Sequence, residues 1–220
     1  MPLMFSCRPI RVRGGLRLIF GFLALTALVS TAEARKKDPA FATSADDPVL
    51  RARISALSPD VDPEEAQRVA ALAYTTGREL KKEWKVVWPP GLQNFLVNTG
   101  VRKGGLCFQW AERLLLRLAD LKWETLEFHW AESFDKTASE HNVIVVTAKG
   151  QPFAQGILLD NWRYGGRLVW GPIVEDPFYQ WVENKVQYQK VLNKRVVAAP
   201  QARSTPSSTP SPVKPEPETR

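Results

Sequence analysis

The sequence predicts an α+β fold, with helices packed on an antiparallel sheet, and three observations carry that expectation. The first half places apolar residues at helical spacing. From about residue 121 the pattern changes to short runs of β-branched and aromatic residues bounded by Gly, Asn and Asp. Helices that precede strands, instead of alternating with them, build an antiparallel sheet and not βαβ units. Of the 220 residues, 44% are hydrophobic and 24% charged, the balance of one globular core with unstructured ends.

Residues 1–34 read as a signal peptide. Arg8, Arg11, Arg13 and Arg17 form a basic start, Leu18 to Ser30 an apolar run, and Ala32-Glu33-Ala34 a small-residue cleavage site. An uncleaved anchor is the competing reading, supported by Arg35, Lys36 and Lys37 directly after the site. The apolar run is nevertheless short for a span, which takes about 20 residues. Export to the periplasm or beyond is therefore expected, with no stable transmembrane span after cleavage. Loss of four arginines and Glu33 would lower the formal charge from +7 to +4. That excess is too mild to argue for nucleic acid. Residues 35–47 are polar and aperiodic, a linker. Residues 196–220 are so rich in Pro, Ser and Thr that they are expected to remain disordered. The folded domain is expected over 48–195.

Within that domain Asp62 is an N-cap, Pro63 the first helical residue, and Glu64 and Glu65 suit the positive end of a helix running to about Trp84. After the Pro89-Pro90 break a shorter helix is expected to end at Gly100. A third opens near Leu106 and runs to about Leu118. Four strands should follow, in "LKWETLEFHW", "HNVIVVTA", "PFAQGILLD" and "GRLVWGPI".

Cys107 begins the third helix and would be the one cysteine left after cleavage at Ala34. Helical steps from it meet Trp110, Ala111, Leu114, Leu115 and Leu118, so it belongs to the buried stripe, at its first turn. Unpaired N–H groups at a helix start favour a thiolate and can stabilise an oxyanion. Gly104 and Gly105 allow a substrate backbone to approach closely. The plain alternative is a small buried hydrophobe. His129 sits in an aromatic run and reads as a packed strand residue. His141 directly precedes the apolar strand "NVIVV" and should lie at its mouth. A hairpin centred between Gly150 and Gln151 would set His141 directly opposite Asp160, with both facing the helix of Cys107. Their Cβ atoms would then be roughly 4.5–5.5 Å apart. A cysteine nucleophile, a histidine base and an orienting aspartate follow in that order. Zinc ligation by the same three is the weaker reading, because no C-x-x-C or H-x-x-x-H spacing accompanies them. The chemistry needs no metal and no cofactor.

Three segments, "GGLCFQWAERLL", "EHNVIVV" and "GILLDNW", resemble the active-site segments of the transglutaminase-like cysteine peptidases of the papain-like superfamily. The G-x-C-x-x-x-A pattern falls on Gly105, Cys107 and Ala111, and the resemblance covers about residues 80–175. The histidine segment departs from the family in lacking Trp-x-Glu-Val. The resemblance implies a papain-like core and a Cys107-His141-Asp160 triad, with Gln93 the candidate upstream oxyanion donor. Trp110, Trp162 and Trp170 are candidates to line a substrate cleft, or to fill the core. The expected function is an exported cysteine hydrolase or acyltransferase acting on amide bonds of a protein, a peptidoglycan peptide or a glutamine side chain. The alternative is a non-catalytic envelope binding or scaffold domain that retains the fold.

Overall fold

The computed structural model describes residues 47–198, so the expected signal peptide, all but the last residue of the expected linker, and the tail beyond Ala198 lie outside the described residues. Four helices come first: α1 (Asp47–Ser55), α2 (Pro63–Glu83), α3 (Pro90–Asn98) and α4 (Cys107–Ala119). The strands β1 (Leu126–Ser133), β2 (His141–Ala148), β3 (Ile157–Asp160), β4 (Val169–Pro172) and β5 (Val182–Glu183) follow, and α5 (Lys185–Ala198) is the last of the described elements. The strands form one antiparallel sheet in the order β4-β3-β2-β1-β5. The protein is α+β.

The caps read from sequence act as expected. Asp62 accepts from the Glu64 N–H at 2.8 Å, with Pro63 behind it. Glu65 does more than suit a dipole: it is buried and accepts from the N–H groups of Glu124 and Thr125 and from the Thr125 hydroxyl. It thereby fastens the first turn of α2 to the approach of β1. Burial opposes its ionisation, but those hydrogen bonds and Arg68 outweigh it and hold the carboxyl below its ordinary value.

The alternation of β2 sorts the core into two layers. Ile144 and Val146 face the helices, where they meet Ala111, Leu114, Leu115 and Leu118 of α4. Val143 and Val145 face the other side, with Ala131, Leu158 and Ile173. That second face is covered not by helices but by two 3-10 turns, Phe153–Gln155 and Ile173–Glu175, and by Trp181. All eight residues of β2 are therefore buried, which explains its near-continuous apolar run.

Two expectations about the hairpin change. β2 and β3 pair Ile144 with Leu159 and Val146 with Ile157, so Asp160 lies two residues off from a position directly opposite His141. The 3-10 turn at Phe153–Gln155 lengthens the connection on the β3 side, which moves the register. A slip of two preserves the face, because side chains alternate with period two. The shared face is also the one away from α4: His141 follows Val143 and Asp160 follows Leu158 in the loop-covered layer. The strand meets α4 through the intervening Asn142.

Among the described residues no helix is long and apolar enough to cross a membrane.

Candidate active site

Cys107 is the first residue of α4, and a set of backbone clamps holds the turn that delivers it. The Gln109 side chain reaches back to accept from the N–H groups of Gly105 and Leu106, at 2.9 and 3.0 Å. Gln93 donates to the Gly104 carbonyl at 2.7 Å and accepts from the Val87 N–H at 3.1 Å. The Trp110 indole donates to the Gly105 carbonyl at 3.1 Å. Gly105 itself has φ +124°, and a Cβ there would lie 2.7 Å from the Gln93 side chain. Both facts exclude other residues. Gly105→Ala is accordingly expected to cost about 1–3 kcal/mol in urea denaturation and to slow alkylation of Cys107. Unchanged stability would show that the turn relaxes at no cost.

The sulfur of Cys107 is fully buried and lies 3.6 Å from the Glu140 carbonyl oxygen and 3.6 Å from the Asn142 amide nitrogen. These residues flank His141 on either side in the chain. The thiol therefore sits at the mouth of β2, beside the point where the imidazole emerges.

His141 Nε2 lies 2.7 Å from Asp160 Oδ2, and both side chains are 1% exposed. Asp160 also accepts from the backbone N–H groups of Trp162 and Arg163, at 2.8 and 3.1 Å, and from Arg163 Nε at 3.0 Å. Burial works against its ionisation. Its charge interaction and hydrogen bond with His141, then the Arg163 guanidinium and N–H, outweigh burial and hold the carboxyl far below the ordinary range. An ionised carboxylate only accepts, so Nε2 must carry the proton it shares. Any proton exchange with the thiol then runs through Nδ1. Burial also opposes the charge on Arg163, but Asp160 and Asp176 more than restore it.

Around His141 stand three rings, Trp162 at 4.7 Å between centroids, Tyr179 at 4.8 Å and Trp181 at 5.3 Å. Arg163 ties this enclosure together. It bonds Asp176 at 2.7 Å and lies over Tyr179, and Asp176 in turn accepts from the Trp181 indole at 3.0 Å.

Of the tryptophans expected near a cleft, Trp162 alone meets the catalytic candidates. Trp110 is buried edge-on against Trp84 at 4.9 Å, and Trp170 is a core residue whose indole donates to the Tyr74 hydroxyl. Those two are buried core residues, and Trp162 packs against the cluster that holds Trp110. Gln93 braces the Gly104-Gly105 turn two residues before Cys107. His129 has both ring nitrogens engaged, by Glu183 at 2.7 Å and by Thr147 at 3.0 Å, as expected for a packed strand residue.

Reading the sequence missed Arg163, Asp176, Tyr179, Trp181 and Asn142. The i, i+3 spacing of Asp160 and Arg163 is a visible signal for the first. Asn142 is placed by strand alternation next to His141, and the other three depend on where a long loop folds back. Among the described residues no group of three or more His, Cys, Asp or Glu side chains is arranged to hold a metal ion. Comparison of the chain with protein-family models, with curated proteins and with solved structures finds no match.

Proposed function

We propose that the protein is an exported cysteine hydrolase or acyltransferase of the transglutaminase-like type, acting on amide bonds of a protein or a peptidoglycan peptide. The observation that carries this reading is the buried 2.7 Å contact of His141 with an ionised Asp160, beside a helix-start thiol held against both chain neighbours of His141. A histidine so oriented is a base with one nitrogen committed and one to use.

In the reaction His141 Nδ1 takes the Cys107 proton as the sulfur attacks the substrate carbonyl. The Cys107 N–H at the head of α4 faces the developing oxyanion, its dipole favouring negative charge there. The imidazolium formed is stabilised by Asp160 and returns its proton to the leaving amine. A thioester remains on Cys107. Water then gives a carboxylic acid, or an amine gives a new amide, and His141 serves again as base. No cofactor enters.

A second reading is favoured by one observation, the burial of all three side chains at 0–1% exposure. A binding or scaffold domain that kept the fold without the reaction would show the same. The two part on treatment of the folded protein with a peptide carrying a thiol-reactive warhead, read by site-resolved mass spectrometry. The enzyme reading expects capture at Cys107 faster than a free cysteine reacts, and a sharp loss of capture in His141→Ala. A folded protein whose Cys107 stays unmodified is a scaffold.

A further inference from the structure

Two polar groups of opposite kind touch the sulfur of Cys107, the Glu140 carbonyl and the Asn142 amide. The Glu140 carbonyl can only accept, so it serves the neutral thiol, which donates S–H to it. The Asn142 amide nitrogen can only donate, so it serves the thiolate. The neutral thiol can use both at once; ionisation ends the first contact and strengthens the second, because a hydrogen bond to a charged acceptor is the stronger.

The orientation of the Asn142 amide follows from its other contacts. Its Oδ1 lies 2.8 Å from the Trp130 indole nitrogen, which is a donor and nothing else. The oxygen must therefore face Trp130, and the NH2 group must face away from it. One of its two hydrogens points to Glu140 Oε1, at 3.3 Å, and the other to Cys107 Sγ. Trp130 is 1% exposed and Asn142 4% exposed, so neither end of this relay is open to rotation in water. Strand alternation supplies the geometry: Asn142 turns toward α4 because His141 turns away from it.

We propose that Asn142 donates a hydrogen bond to the Cys107 thiolate and is a further catalytic residue of this site. The proposal rests on the reading of Cys107 as nucleophile and extends it. The charged and titratable groups around this end of the sheet include His141 from β2, Glu140 ahead of it, Glu132 of β1 directly opposite Asn142, Asp160 from β3, Tyr179 against the imidazole, and Arg163 with Asp176 beyond. Two carboxylates oppose a thiolate here, Glu132, which accepts from the Asn184 amide at 2.7 Å, and Glu140. Asn142 occupies one oxygen of Glu140, and the Lys136 N–H bonds the other at 3.1 Å. The amide thus supports the anion directly and engages one of the carboxylates that disfavour it.

The test uses the full chain and two variants. Asn142→Leu keeps the volume and deletes the donor. Asn142→Asp keeps an acceptor for Trp130 and puts a carboxylate where the N–H was. The pH dependence of alkylation by iodoacetamide is read at the Cys107 peptide by mass spectrometry, with thermal unfolding followed in parallel. In either variant the midpoint should rise by about 1–2 pH units, the worth of one hydrogen bond to a charged group. If Asn142→Leu does not fold, Asn142→Ala, which also lacks the donor and brings no charge, decides in its place, because the carboxylate of Asn142→Asp raises the midpoint by repulsion as well. Folded variants whose midpoint matches the wild type overturn the proposal, since a merely structural Asn142 would change unfolding and leave the titration alone. A wild-type midpoint at or above about 8.5, with the shift on substitution intact, retires the nucleophile and keeps the donor.

Discussion

Cys107→Ser and His141→Ala are each expected to lower turnover of a cleavable peptide amide by a factor on the order of 10³ or more, and the double variant to be no slower than the slower single one. The reason is that the two act as a unit. Without the sulfur the base has no proton worth taking, and without the base the thiol attacks only in the small fraction already ionised. Serine leaves the surroundings nearly intact, because its hydroxyl can still donate to the Glu140 carbonyl and accept from Asn142. Its loss should therefore be chemical, with little change in unfolding. Alanine at 141 also empties the space between Trp162, Tyr179 and Trp181 and removes a partner of Asp160. A drop of about 2–4 kcal/mol in stability should accompany it, so rates are compared below its melting temperature. A double variant far slower than either single one would show two independent contributions and dissolve the pair.

The parts of this site legible in the sequence were those governed by local rules. Asp62-Pro63 announces α2 because capping is a matter of neighbouring residues. The stripe from Cys107 to Leu118 announces α4 and its buried face because helical period and burial coincide there. β2 was legible residue for residue, since its apolar run is bounded by a polar stretch and a glycine turn. What failed was decided at longer range. The register of β2 with β3 depends on whether residues 153–155 extend the strand or coil into a 3-10 turn, and nothing in Phe-Ala-Gln separates the two. β5 has two residues and exists through its pairing with Ala131 and Glu132. α5 is held by Val191, Tyr188 and Leu192 against the main core, a contact set too sparse to give a strong periodic signal among its lysines and glutamines. α1 has the same difficulty, with Leu50 and Ile54 as its buried residues. The aromatic enclosure of His141 came from Tyr179 and Trp181, far along the chain in a segment without regular period. The face of His141 was misjudged for a related reason: the sequence says which residues of a strand share a side, but not which side the helices take.

Asp160→Asn is the substitution expected to separate orientation from basicity, and it should do so with a pH signature. The new side chain can still accept from the Trp162 and Arg163 N–H groups through Oδ1. Where Oδ2 stood, however, an NH2 group would meet Arg163 Nε, a donor, and His141 Nε2. His141 is then pushed to the tautomer with Nε2 bare and the proton on Nδ1, the nitrogen that must take the thiol proton. Turnover should fall by a factor on the order of 10³–10⁴ and yet remain measurable, because the imidazole is still present. Stability should fall too, by about 3–5 kcal/mol near neutral pH, since Arg163 loses a buried counterion. The sign of the pH dependence follows from the direction of the Asp160 shift. Its carboxyl is held below the unfolded value of 3.8, so the stabilisation is complete above that value and is lost as pH falls toward the folded pKa. Wild type and variant should therefore differ most near neutrality and converge as pH drops below about 4. Carboxylates remote from the substitution, Glu65 among them, act alike in each and cancel from the difference. Urea midpoints at pH 6 and pH 3 decide it: a gap that stays constant or widens in acid would mean that Asp160 is not ionised in the folded protein, and the orientation of His141 would need another cause.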